Sequence, residues 1–142
     1  MSASDDVLRV AADWIAKAEN DLRTAALTLR EQRNCPTDTI CFHAQQCVEK
    51  YLKALLVLRG TPFPKTHSLA DISALLPDEW RPDVPPKTLE RFTDYATITR
   101  YPGEYAEISL EEARAALSIA RRIRKATRSI VPAAALRRRR RA

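Results

Sequence analysis

The apolar positions of this chain fall at three-and-four spacing in long runs, and almost nothing alternates with the period of a strand. Leu8, Ala11, Ile15, Ala18, Leu22, Ala25 and Leu29 predict a first helix over about residues 5–31. Asn34-Cys35-Pro36 breaks it, and Thr37 or Asp38 is placed to cap a second helix that ends at Gly60. Ser68 with Asp71 opens a short third helix through Leu76. Four prolines (Pro77, Pro82, Pro85, Pro86) mark an irregular link before a fourth helix, about Lys87 to Thr99. The Ser109/Glu112 pair opens a last helix to about Ile130, and Pro132 ends it. The predicted fold is all-α: an up-and-down antiparallel bundle of four long helices plus one short one. Residues 1–132 form the expected domain, and residues 133–142 a basic low-complexity tail.

The second helix is apolar around most of its circumference. Cys41, Ala44, Val48, Tyr51, Leu52, Leu55 and Leu58 share one arc, while Gln46, Glu49, Lys50 and Lys53 make a narrow polar strip with His43 at its edge. Gln45 projects into the apolar arc and is assigned to structure, because a buried amide must find partners. Such a helix is a central element with a solvated seam, or one wall of a polar pocket. In the first case Glu49 and Lys53 are a surface pair worth about 0.2–0.5 kcal/mol.

Charge changes the picture little. The formal net charge is +6, but residues 119–142 hold ten Arg or Lys and no acid, which leaves the rest at 14 basic against 18 acidic groups. The body is therefore mildly acidic. The arginine run Arg137, Arg138, Arg139, Arg140 and Arg141 is a candidate contact for RNA phosphates, sequence-blind for want of interleaved aromatics. The bland alternative is a solvated tail. No apolar run approaches membrane-spanning length and no signal-peptide pattern is present, so a cytoplasmic protein without membrane contact is expected. The three cysteines lack a CxxC pattern and read as reduced thiols. His43 and Cys47 stand four apart, but no second ligand pair completes a set, so neither metal nor cofactor is expected.

The string Phe42-His43-Ala44-Gln45-Gln46-x-x-Glu49-Lys50-x-Leu52-Lys53-Ala54 is similar to the signature helix of the HEPN domain family. Gly60, then Thr66-His67-x-Leu69, then Arg100-Tyr101-Pro102 follow in the family's order, and the resemblance covers about residues 10–130. It implies a helical bundle that dimerises with its own kind. It also implies a place beside a small nucleotidyltransferase partner, as in toxin–antitoxin pairs, and binding of nucleotides of the ATP or GTP class. The implied ligand site gathers Gln46, Lys50, Lys53, His67, Arg100 and Tyr101: cations for phosphates, Gln46 for base or ribose, Tyr101 for stacking. Many members are metal-independent ribonucleases with an Arg-x4–6-His motif. This chain departs from that motif: Asp38, Thr37 and Pro36 precede His43, and Pro62, Thr61 and Gly60 precede His67. The departure argues against an enzyme and leaves His67 the one catalytic candidate. The alternatives are a dimerisation and docking module without nucleotide affinity, or a ribonuclease that draws its arginine from elsewhere.

Overall fold

The computed structural model describes residues 4–98 and 106–137. Among them are six α-helices, one 3-10 turn and no strand: α1 Asp5–Leu29, α2 Thr37–Arg59, α3 Leu69–Ala74, the turn Asp78–Trp80, α4 Pro86–Ile98, α5 Leu110–Ile130 and α6 Ala133–Leu136. The expected up-and-down helical bundle is the fold.

α1 starts where Ser4 accepts a hydrogen bond from the Val7 N–H at 3.2 Å, and Asp5 and Asp6 face the positive end of the helix. It stops two residues before the expected end. Gln32 (φ 50°) and Asn34 (φ 60°) take the left-handed conformation that turns the chain into α2. Neither Thr37 nor Asp38 stands at the N-cap of α2; that residue is Pro36, whose side chain can neither donate nor accept, and Asp38 Oδ1 accepts from the first-turn Thr39 N–H at 2.8 Å. The Thr37 hydroxyl instead donates to the Ile108 carbonyl at 2.6 Å, tying the start of α2 to the approach of α5. At the other end Gly60 has φ +67°, and Thr61 N–H bonds the Leu56 carbonyl at 2.9 Å, closing the helix in a Schellman arrangement. Ser68 and Ser109 do cap α3 and α5, accepting from Asp71 N–H at 3.3 Å and Glu112 N–H at 3.0 Å. The Glu112 carboxylate, expected to complete a capping box, accepts instead from the Tyr95 hydroxyl at 2.6 Å and the Arg91 guanidinium.

α2 is the central element. α1 packs along it most extensively, with α5 and α4 on its other sides. Alanines make this close approach possible: Ala11, Ala18 and Ala25 of α1 and Ala113, Ala116 and Ala120 of α5 are all buried. Between them lie Ile40, Val48, Tyr51, Leu52, Leu55 and Leu56. Of the polar strip on α2, read as a solvated seam or a pocket wall, Glu49 (3% exposed) and Lys53 (8%) are buried while Gln46 and Lys50 are half-buried. Residues 133–136, expected within the tail, form α6 against α1 with Ala135 buried and Leu136 packed on the core. Among the described residues no helix is long and apolar enough to cross a membrane.

Candidate functional site

The polar strip of α2 folds into two clusters, each centred on a carboxylate. The first carboxylate is Asp21 of α1. It accepts from Lys50 Nζ at 2.5 Å and meets His43 Nδ1 at 2.7 Å. The second is Glu49 of α2 itself. Its Oε1 takes Gln45 Nε2 at 2.9 Å and His67 Nδ1 at 2.8 Å, and its Oε2 takes Lys53 Nζ at 3.0 Å. Gln46 donates to Gln45 Oε1 at 2.6 Å and so joins the same cluster at one remove. Gln45 thus has the structural role that its buried position predicts.

Electrostatics follow from this donor count. Burial by itself pushes the Glu49 carboxyl up, but bonds from Gln45, His67 and Lys53 together outweigh it and hold the group below its ordinary value. An ionised Glu49 can only accept, so His67 meets it as an Nδ1–H donor. That makes Nδ1 the protonated nitrogen of this contact, on a side chain that is 44% exposed. Lys53 is enclosed more fully. Its ammonium lies 5.5 Å from the Trp14 ring centroid and 5.7 Å from that of Phe63, and the two rings meet edge-on at 6.1 Å.

Of the six residues expected in one groove, Gln46, Lys53 and His67 come together around Glu49. Lys50 belongs to the neighbouring Asp21 cluster. Arg100 and Tyr101 lie outside the described residues, as do Arg138, Arg139, Arg140 and Arg141 of the tail. Asp21 and Glu49 are the hubs that sequence reasoning missed as site residues. Asp21 had a signal, because it lies three residues from Ala18 and four from Ala25 on the buried face of α1.

The remaining candidates have clear surroundings. Cys47 is fully buried, and desolvation together with the nearby Glu19 and Asp21 carboxylates pushes its thiol well above its ordinary value. A thiol so placed is a poor nucleophile or metal ligand. Among the described residues no three His, Cys, Asp or Glu side chains are placed to hold a metal. A third ionic cluster pins α5 to α1: Glu19 receives Arg124 at 2.7 Å and Arg128 at 3.1 Å, and Arg128 also donates to the Tyr51 hydroxyl at 3.3 Å.

The sequence profile of the HEPN domain matches residues 11–130, which takes in most of α1, all of α2 to α5 and both carboxylate clusters. The chain belongs to the HEPN domain family. Solved structures agree. TT1696 from Thermus thermophilus superposes with a TM-score of 0.69 at 30% identity, over 85% of this chain and 98% of that one. ST0689, described as an archaeal HEPN homologue, gives a TM-score of 0.61 at 26% identity, over 86% and 98%. Among curated proteins, "Putative toxin MJ1304" of Methanocaldococcus jannaschii is 32% identical over an alignment of 101 residues, with 65% of this chain covered. The matched region spans 63% of that relative's length. In this HEPN domain the signature helix is therefore a buried axis whose polar residues are bonded mainly to one another and to α1.

Proposed function

We propose that this HEPN domain is the helical member of a toxin–antitoxin-type pair, and that it recognises a protein partner rather than a free nucleotide. The partner is a minimal nucleotidyltransferase, and the domain works as a homodimer. The observation that supports docking over nucleotide binding is the internal neutralisation of the α2 strip. Lys50 is held by Asp21 and Lys53 by Glu49, with the lysine side chains 23% and 10% exposed and the carboxylates 11% and 4%. A nucleotide phosphate approaching either ammonium would meet the like charge of the carboxylate already bonded to it, and displacing that carboxylate would leave it without its partner. The similarity to MJ1304 supports the toxin side of the reading.

The test has two arms on the full chain and on a chain ending at Arg137. Calorimetric titration with ATP and GTP should give flat traces for the shorter chain. Co-expression with a minimal nucleotidyltransferase should give a complex that survives size exclusion with light scattering. Saturable micromolar binding of one nucleotide, abolished by Lys50→Met, would overturn the reading and restore the strip as a ligand site.

One observation favours a second reading. The Glu49–His67 contact has the form of an oriented acid/base histidine, which suits metal-independent RNA cleavage. Cleavage in the presence of EDTA that disappears in His67→Ala would establish it.

A further inference from the structure

Between residues 79–84 and the C-terminal half of α5 lies a groove of about 520 Å³. Trp80, Val84, Ala126 and Ile130 give it an apolar lining, and Ile130 is 37% exposed, one of the few large apolar side chains on the surface. The groove follows α5 from Arg122 to Ile130, about 12 Å at 1.5 Å per residue, or roughly two helical turns. Its two rims differ in charge. Arg122 and Lys125 stand exposed on the α5 rim, with no acidic partner among the described residues. Glu79 and Asp83 occupy the opposite rim. Arg81 does not balance them for an incoming ligand, because it donates to the Leu76 and Ala74 carbonyls and pairs with Asp78.

The basic rim continues along the helix. Arg114, Arg121 and Lys125 fall within about 40° of one another at 100° per residue, and all are exposed. From Ala113 to Arg137 the chain has seven basic side chains and no acid, and Glu19 neutralises only Arg124 and Arg128 of these. This face of α5 therefore carries an excess of positive charge beside an apolar trough.

We infer that the groove is a docking site for an amphipathic protein segment whose apolar face carries carboxylates along one edge, seated with that edge towards α5. The inference rests on the partner-binding reading and assigns it a surface. An apolar stripe laid into a trough supplies affinity, and the opposed rim charges fix which way round the segment lies. It shares no lining residue with the α2 strip, and it meets α2 only at its end, where the Arg59 guanidinium lies 5.4 Å from the Trp80 ring centroid.

The probe is an 18-residue helical peptide with leucine at heptad positions and glutamate along one edge of that stripe, measured by fluorescence anisotropy against the full chain at physiological salt. A lysine-for-glutamate version and a single-stranded RNA of similar charge serve as comparisons. The glutamate peptide should bind and the lysine peptide should not. Arg122→Glu with Lys125→Glu should weaken binding about tenfold or more. Ile130→Ser leaves every charge in place, so a loss of binding there separates seating in the groove from attraction to the arginine tail. Equal binding of both peptides, or indifference to these substitutions, would overturn the inference. So would RNA that binds more tightly and responds to the same substitutions. A nucleotidyltransferase complex that survives Arg122→Glu with Lys125→Glu would leave partner docking standing and remove this groove from it.

Discussion

Replacing Glu49 by glutamine should destabilise the bundle far more than a surface charge change. The substitution keeps the shape of the side chain but removes the charge that compensates Lys53, whose side chain is 10% exposed and hemmed in by Trp14 and Phe63. Breaking one side of a buried pair costs about 3–5 kcal/mol, because a charge remains in a low-dielectric site. At about 2.1 cal/mol/K per residue, 142 residues give an unfolding entropy near 0.3 kcal/mol/K, so the melting temperature should fall by about 10–17 °C. Thermal and urea unfolding followed by circular dichroism at pH 7 measures this. Glu49→Gln combined with Lys53→Met should recover most of the loss, because the stranded charge leaves with its partner. The pH dependence has a definite sign. Glu49 is held below its ordinary 4.5 in the folded state, so its contribution is complete above about that pH and is lost as pH falls through the lower folded value. The difference between wild type and Glu49→Gln should therefore narrow in acid. A cost below about 1 kcal/mol for the single substitution, or no recovery in the double variant, would refute the account of Lys53 as a buried, compensated cation.

Two other predictions follow from burial. Cys41 is pushed up to about 12 by desolvation first and by the Glu112 carboxylate second, and Cys47 is raised as well, so the native protein should present one readily modified thiol, the half-buried Cys35, to a disulfide reagent at pH 8. Full denaturation should release all three; two or more fast native thiols would contradict the packing around α2. A chain ending at Arg137 should melt with the full chain, whereas one ending at Pro132 loses the contacts of Ala135 and Leu136 and should lose about 1–2 kcal/mol. Equal melting temperatures for the two truncations would make α6 energetically idle.

Helix order and type were legible because apolar spacing and caps acted together: Ser109 and Gly60 stand at helix ends both in the pattern and in the fold. Where a side chain had two possible uses, the pattern misled. Thr37 could cap α2 or reach across to Ile108, and only the packing of α5 decides between them. Glu49 and Lys53 illustrate the same limit at the site. Their i,i+4 spacing predicts the pair, but its burial depends on Trp14 from α1 and Phe63 from the connector. His67 was legible as a candidate, whereas its partner was not, since eighteen positions separate it from Glu49. Trp80 beside Arg122 and Lys125 was invisible for that reason too: no local period links the proline-rich link to α5.

The enclosure of α2 also sets where this molecule can move. Its amides lie beneath α1, α4 and α5, so they should exchange hydrogen only through near-global opening, while α6 and the 78–86 link exchange through small local excursions. Conformational change on binding, at whichever surface it occurs, would then be a re-seating of outer helices around a fixed spindle. The clusters at Asp21 and Glu19 act as clasps in such a motion, since each joins α1 to a different neighbour and one can open while the other holds.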